Sequence, residues 1–91
     1  MDTDFKTSFE NDLKKIIDQT LKEDIKQTIL SVEEAKTMKD IPELKKIKGY
    51  KKGIFYRIKV GSSYRIGVTI EGNLVTFVTF MHRKDIYKHF P

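Results

Sequence analysis

Cysteine and tryptophan are absent from the 91 residues, and only two prolines and five glycines occur. Without cysteine the chain forms no disulfide staple, offers no thiolate to a metal and has no sulfur nucleophile. That composition is compatible with a reducing compartment, and a cytoplasmic location is expected. No apolar run approaches the roughly 20 residues a membrane-spanning helix needs, so no membrane partner is expected. The acidic opening "MDTDFKTSFE" lacks the apolar stretch of a secretory leader. Phosphate-binding glycine loops, the GxGxxG fingerprint and the HExxH zinc helix are missing as well. Two histidines and scattered acids show no metal-ligand spacing, so neither a metal nor any other cofactor is expected.

What is present is a globular composition with a divided charge. Hydrophobic residues make up 38% and aromatics 11%, enough for one domain over residues 1–91 but not for two separate cores. The net charge of +5 conceals two unlike halves. Residues 1–44 carry seven lysines against eleven acids, and residues 45–91 carry eleven lysines and arginines against only Glu71 and Asp85. All three arginines, Arg57, Arg65 and Arg83, lie in the basic half. Such a split suits a surface that faces a polyanion. A basic protein with no nucleic-acid role shows the same totals.

Hydrophobic spacing changes along the chain. Phe9, Leu13, Ile16, Ile17, Leu21, Ile25, Ile29 and Val32 fall three and four apart, a helical stripe. Ser8 is placed to cap its start, with Glu10 and Asp12 in the first turn. The capping-box pattern "TLKE" at Thr20–Glu23 predicts two helices that meet near Asp18–Thr20, the second running to about Met38. One long helix is the other arrangement these spacings allow. "KDIPELKKIKGYKKG" reads as a connector with a basic turn between Gly49 and Gly53. After it the period becomes two. "IFYRIKV" (54–60), "YRIGVTI" (64–70) and "LVTFVTFM" (74–81), separated by "GSS" and "EGN", predict a three-stranded antiparallel meander. A weak strand at Thr3–Lys6 would add to one edge, and the closing "RKDIYKHF" reads as a helical turn or irregular tail. The expected class is therefore α+β, an N-terminal antiparallel helix pair packed on a small antiparallel sheet of three to four strands.

Strand parity then positions the cations. Tyr56, Ile58 and Val60 share one face of their strand, and Tyr64, Ile66, Val68 and Ile70 share one face of the next. Both apolar rows must lie on the same side, because a one-residue slip would send one of them to water. An odd loop satisfies this, so Val60 is predicted to pair with Tyr64 and Lys59 with Arg65, with Arg57 on the same face. Like charges opposed across a ladder are unfavourable by a few tenths of a kcal/mol or more, and a bound phosphate reverses that sign. Simple solvation of an exposed sheet face is the plainer reason for such residues. Gly67 and Thr69 beside the cluster are expected to leave the surface open. A third strand ending at Met81 would deliver His82 and Arg83 to the same edge. His82 has the side chain best suited to proton transfer near neutrality, Arg83 suits a bidentate phosphate contact, and Tyr87 suits base stacking or hydrogen bonding. Each residue has an ordinary structural use too. Ile86 and Phe90 read as core anchors, and His89 reads as solvated.

These residues resemble a family. "SFENDLKKI" and "LKKIKGYKKGIFYRIKVGSSYRIGVTIEGNLVTFVTFMHRKDIY" are similar to the RelE/ParE superfamily of type II toxin–antitoxin toxins over nearly the whole chain. The most specific parts are "LKKIKG", "YRIKVGxxYRI" and "HRKDIY". The resemblance implies a helix pair packed on an antiparallel sheet and a growth-arresting toxin, usually one that cuts mRNA in the ribosomal A site. There the 2′-OH attacks the adjacent phosphate, leaving a cyclic phosphate and a 5′-OH. Matched by position, Arg65, Arg83 and Tyr87 are the implied catalytic residues, with His82 at a position that varies between branches. Arg57 and Lys59 match the basic strand pair, and Lys84, Lys51 and Lys52 are further RNA-binding candidates. The implied partners are a cognate antitoxin, in a toxin–antitoxin hetero-oligomer, and the ribosome with its mRNA. The ParE branch shares the fold but poisons DNA gyrase and cuts no RNA. Two departures stand out: the first strand is reduced to "MDTDFKT", and the segment after Tyr87 is too short for the C-terminal helix of some members.

Overall fold

Where the hydrophobic period changes, the backbone changes with it. The computed structural model describes residues 1–49 and 53–91. The described elements are β1 (Asp2–Phe5), α1 (Thr7–Lys14), α2 (Gln19–Glu34), a 3-10 turn (Met38–Asp40), β2 (Leu44–Lys46), β3 (Phe55–Val60), β4 (Tyr64–Glu71), β5 (Leu74–His82) and α3 (Arg83–His89). They form an α+β fold with one five-stranded sheet in the order β1-β5-β4-β3-β2. The sheet is mixed, since β1 runs parallel to β5 while the other pairs are antiparallel.

The sheet is thus larger than the three or four antiparallel strands expected. The weak N-terminal strand does form, one edge away from the meander, with Asp2–Phe5 paired to Leu74–Phe77. The other edge comes from the segment read as a connector. Leu44–Lys46 pairs with Ile58–Tyr56, and three residues are too few to show an alternation.

The helical stripe is two helices, broken at Lys15–Asp18. Asp18, not Thr20, caps the second, its side chain accepting from the Leu21 N–H at 3.0 Å. Ile17 falls in the break and is 92% exposed, so it leaves the stripe. α2 stops at Glu34 rather than Met38, and the reciprocal capping box in this region belongs to Thr37 and Asp40 at the 3-10 turn. The residues before α1 offer no side-chain cap.

Both long helices lie on one face of the sheet. Phe9 from α1 and Ile25 and Val32 from α2 share a core with Ile58, Val60, Ile66, Val68, Val75, Phe77 and Phe80. Phe77 and Phe80 both face it although they are three residues apart. A β-bulge explains this. Val68 pairs with Phe77 and Gly67 with Thr79, leaving Val78 as the extra residue. The bulge exposes backbone groups that would otherwise sit in the ladder, and α1 satisfies them. Ser8 Oγ donates to the Val78 carbonyl. Asp12 Oδ2 accepts from Thr79 Oγ1 at 2.8 Å and from the Phe80 N–H at 3.0 Å. Ser8 and Asp12 therefore serve as clamps on the strand, not as the helix cap and first-turn acid their positions predict.

The opposite face is not open either. α3 folds back over it, and Ile86 and Phe90 pack with Ile47 and with Phe55, Val78 and Met81 in a second small core. The Phe90 ring rests on Gly67, where a Cβ would meet ring atoms at 2.8–2.9 Å. The expected openness around Gly67 is thus a socket, and the absent side chain is what lets the tail dock. Of the two readings of "RKDIYKHF", the helical one holds: Arg83–His89 is a seven-residue helix, with Ile86 buried within it and Phe90 buried at its C-cap.

Gly67→Ala should therefore destabilise the fold by about 1–3 kcal/mol through overpacking. In urea denaturation the Gly67→Ala/Phe90→Ala pair should lose clearly less than the sum of the two single changes, because removing the ring removes the clash. Strict additivity would refute the socket.

Candidate nucleic-acid interface

The register places the cations as strand parity requires. Val60 pairs with Tyr64, Lys59 with Arg65 and Arg57 with Gly67. Since Ile58 and Ile66 are directed into the helix-covered core, Arg57, Lys59 and Arg65 project from the α3 side of the sheet. Arg65 also pairs with Met81 at the end of β5, which brings the start of α3 to the same corner.

Arg65 is held in place. Its guanidinium Nη1 donates to the Tyr64 carbonyl at 2.7 Å and to the Ser62 carbonyl at 3.3 Å. These bonds brace it against the β3–β4 turn and leave other N–H donors of the fork for a ligand. Loss of hydration lowers the Arg65 pKa from its ordinary value, and the charge of Arg57 lowers it further. Tyr87 opposes that shift, Arg83 adds to it and Glu43 opposes it. The group stays cationic regardless. Arg57, Arg83 and Tyr87 thus all bear on the Arg65 charge, with Glu43 as the acid among these neighbours.

Tyr87 reaches the site from α3. Its ring lies beneath the Arg57 guanidinium, 5.9 Å from carbon to centroid, a cation–π contact that ties helix to strand. Tyr87 is 58% exposed, so it is not a core residue. Arg83 and Lys84 are exposed in the first turn of the same helix.

His82 stands apart. Its partner across the ladder is Tyr64, and it meets the Tyr64 ring edge-on at 5.7 Å, on the side where Tyr64 stacks with Phe80. Its Nδ1 accepts from the Lys84 N–H at 3.1 Å and caps α3. That nitrogen is therefore occupied in setting the helix direction, and the bulge upstream has put the ring on the parity opposite to Arg65. Lys51 and Lys52 lie outside the described residues.

Two residues of this surface escape sequence reasoning. Lys45 of β2 sits directly across from Arg57, and nothing reveals this until β2 is known to be a strand. Glu43 adopts a left-handed backbone with φ of 62°, uncommon for a residue with a side chain. Its carbonyl accepts from the Lys59 N–H at 3.3 Å. Among the described residues no cluster of three or more His, Asp or Glu is arranged to hold a metal ion. Nor is any helix among them long and apolar enough to cross a membrane.

Comparison with known proteins adds a family. The family model described as ParE toxin of type II toxin–antitoxin system, parDE, matches residues 4–87. A protein named Toxin RelE3 from Methanocaldococcus jannaschii is 39% identical over 88 residues, 96% of each chain. Among solved structures, a chain of the RelB–RelE antitoxin–toxin complex from Methanococcus jannaschii superposes with a TM-score of 0.76 and 35% identity, covering 97% of this chain and 99% of that one. A chain of the intact E. coli RelBE toxin–antitoxin complex shares the fold at a TM-score of 0.65 and 22% identity, covering 87% of this chain and 92% of its own.

If His82 acts by capping α3, His82→Ala should cost about 1 kcal/mol and reduce hydrogen-exchange protection of the Lys84 amide. His82→Asn, which keeps an acceptor at the cap, should retain most of both. Equal losses in the two variants would remove the capping role.

Proposed function

The chain belongs to the RelE/ParE superfamily of type II toxin–antitoxin toxins, and from that membership we propose that it is an endoribonuclease cleaving mRNA on the ribosome. The observation that carries this reading is the Arg65 fork held by two carbonyls on the sheet face it shares with Arg57 and Lys59, with the Tyr87 ring against the Arg57 guanidinium.

In the proposed reaction the substrate 2′-oxygen bonds to the adjacent phosphorus as the bond from phosphorus to the 5′-oxygen breaks. The 2′-OH gives up its proton, the leaving 5′-oxygen gains one, and a cyclic phosphate forms. Negative charge builds on the phosphoryl oxygens in between. Arg65 is the residue best placed to stabilise it, since its orientation is set before substrate arrives. Arg83 contributes a second guanidinium, and Arg57 and Lys59 hold the flanking sugar–phosphate chain. Tyr87 offers a ring to a base and a hydroxyl for proton transfer. His82 is assigned to positioning, because its cap orients the helix that carries Arg83 and Tyr87.

A cognate antitoxin is the expected partner, as the solved relatives are toxin–antitoxin complexes. The apolar groove of about 380 Å³ between α1 and α2, lined by Leu13, Ile16, Ile25, Ile29 and Leu30, is a surface such a protein would cover. The match to the ParE model favours a second reading, a toxin that poisons DNA gyrase without cutting RNA.

Primer extension on mRNA after induced expression separates the two. Discrete new 5′ ends within coding sequence are expected for the wild type. Arg65→Ala should lower cleavage about 10²–10³-fold, the usual cost of one transition-state donor, with the fold intact by circular dichroism. Intact mRNA together with a DNA-damage response would instead select the gyrase reading. Undiminished cleavage in both Arg65→Ala and Arg83→Ala would move the site elsewhere.

A further inference from the structure

The cationic face extends beyond the residues just assigned. β2 sets Lys45 directly opposite Arg57, and opposed residues of an antiparallel pair project to the same side of the sheet. Lys45 is exposed. It therefore continues, on the last strand of the sheet order, a row that runs through Arg57 and Lys59 to Arg65. Two like-charge oppositions, Lys45 with Arg57 and Lys59 with Arg65, lie side by side on one face. Each is unfavourable in the free sheet, and both become favourable when anions lie between them.

Spacing distinguishes one anion from several. Neighbouring strands lie about 4.8 Å apart, so β2 is about 10 Å from β4. A phosphate seated at Arg65 leaves room for another at Lys45. From this placement we infer that Lys45 binds a second phosphate of the RNA chain, away from the one that reacts. β2 is then a subsite that sets the path of the strand as it leaves the sheet edge. Lys45 is a positioning residue, and the inference rests on reading this face as RNA-binding.

A lysine on an edge strand has another common use, which is to discourage pairing with a second sheet. Salt dependence separates the two, because each lost phosphate contact on a single strand reduces the slope of log K against log salt by about 0.7. The probe is a fluorescein-labelled, 2′-O-methylated single-stranded RNA, which binds but has no 2′-OH with which to react. Anisotropy titrations at several salt concentrations would compare the wild type with Lys45→Gln, Lys45→Arg and Arg57→Gln. The expected result is a slope shallower by about 0.7 for Lys45→Gln, a wild-type slope for Lys45→Arg, and unchanged thermal unfolding for both. If Arg57→Gln flattens the slope and Lys45→Gln does not, the subsite is refuted while the RNA-binding face stands. If neither changes it, the RNA-binding face fails and the subsite with it.

Discussion

Burial of Ile58 and Ile66 against the two long helices is the constraint on which the rest depends. Both are essentially inaccessible and sit directly opposite each other in the ladder. Shifting either strand by one residue would expose an isoleucine at a cost of about 1.5–3 kcal/mol and bury an arginine or lysine in its place. The core therefore dictates which side of the sheet carries charge. Lys59 and Arg65 face each other because the hydrophobic partners beside them leave no alternative, and the repulsion between them is small against the burial it accompanies.

Covering the second face sets a helix beside that charge. Phe90 needs the absent side chain of Gly67, Ile86 on the inner side of α3 is fully buried, and His82 holds the first turn of the helix. Together these contacts bring Tyr87 to Arg57. A tail that would otherwise be free is thereby pinned beside the strands that carry the cations, so the loss of its conformational freedom is met by the fold itself.

Much of this was legible in the residue order. The meander, the pairing of Val60 with Tyr64 and the convergence of Arg57, Lys59 and Arg65 follow from alternation and from the odd length of the Gly61–Ser63 turn. The edge strands were harder to read. β1 is half acidic and β2 is three residues long, so tertiary pairing and not local pattern makes them strands. Gly67 invited the opposite inference from the one it supports, because a missing side chain looks like open space until the ring that fills it is seen. Ser8 and Asp12 carry helix-capping chemistry, yet their partners are seventy and sixty-seven residues away, beyond what local spacing encodes. The environment of His82 was hidden by the same bulge, which reverses inside and outside for everything after it.

That bulge gives β5 the character of a crystal with a half-period dislocation. Before Val78 the odd-numbered residues point to the helices, and after it the even-numbered ones do. Excising one residue there would heal the lattice but rotate the terminus by half a turn about the strand, exchanging the sides of Met81 and His82 and aiming α3 at the wrong face. The phase of that single defect, locked by one aspartate and one serine, decides on which side of the sheet the tyrosine arrives.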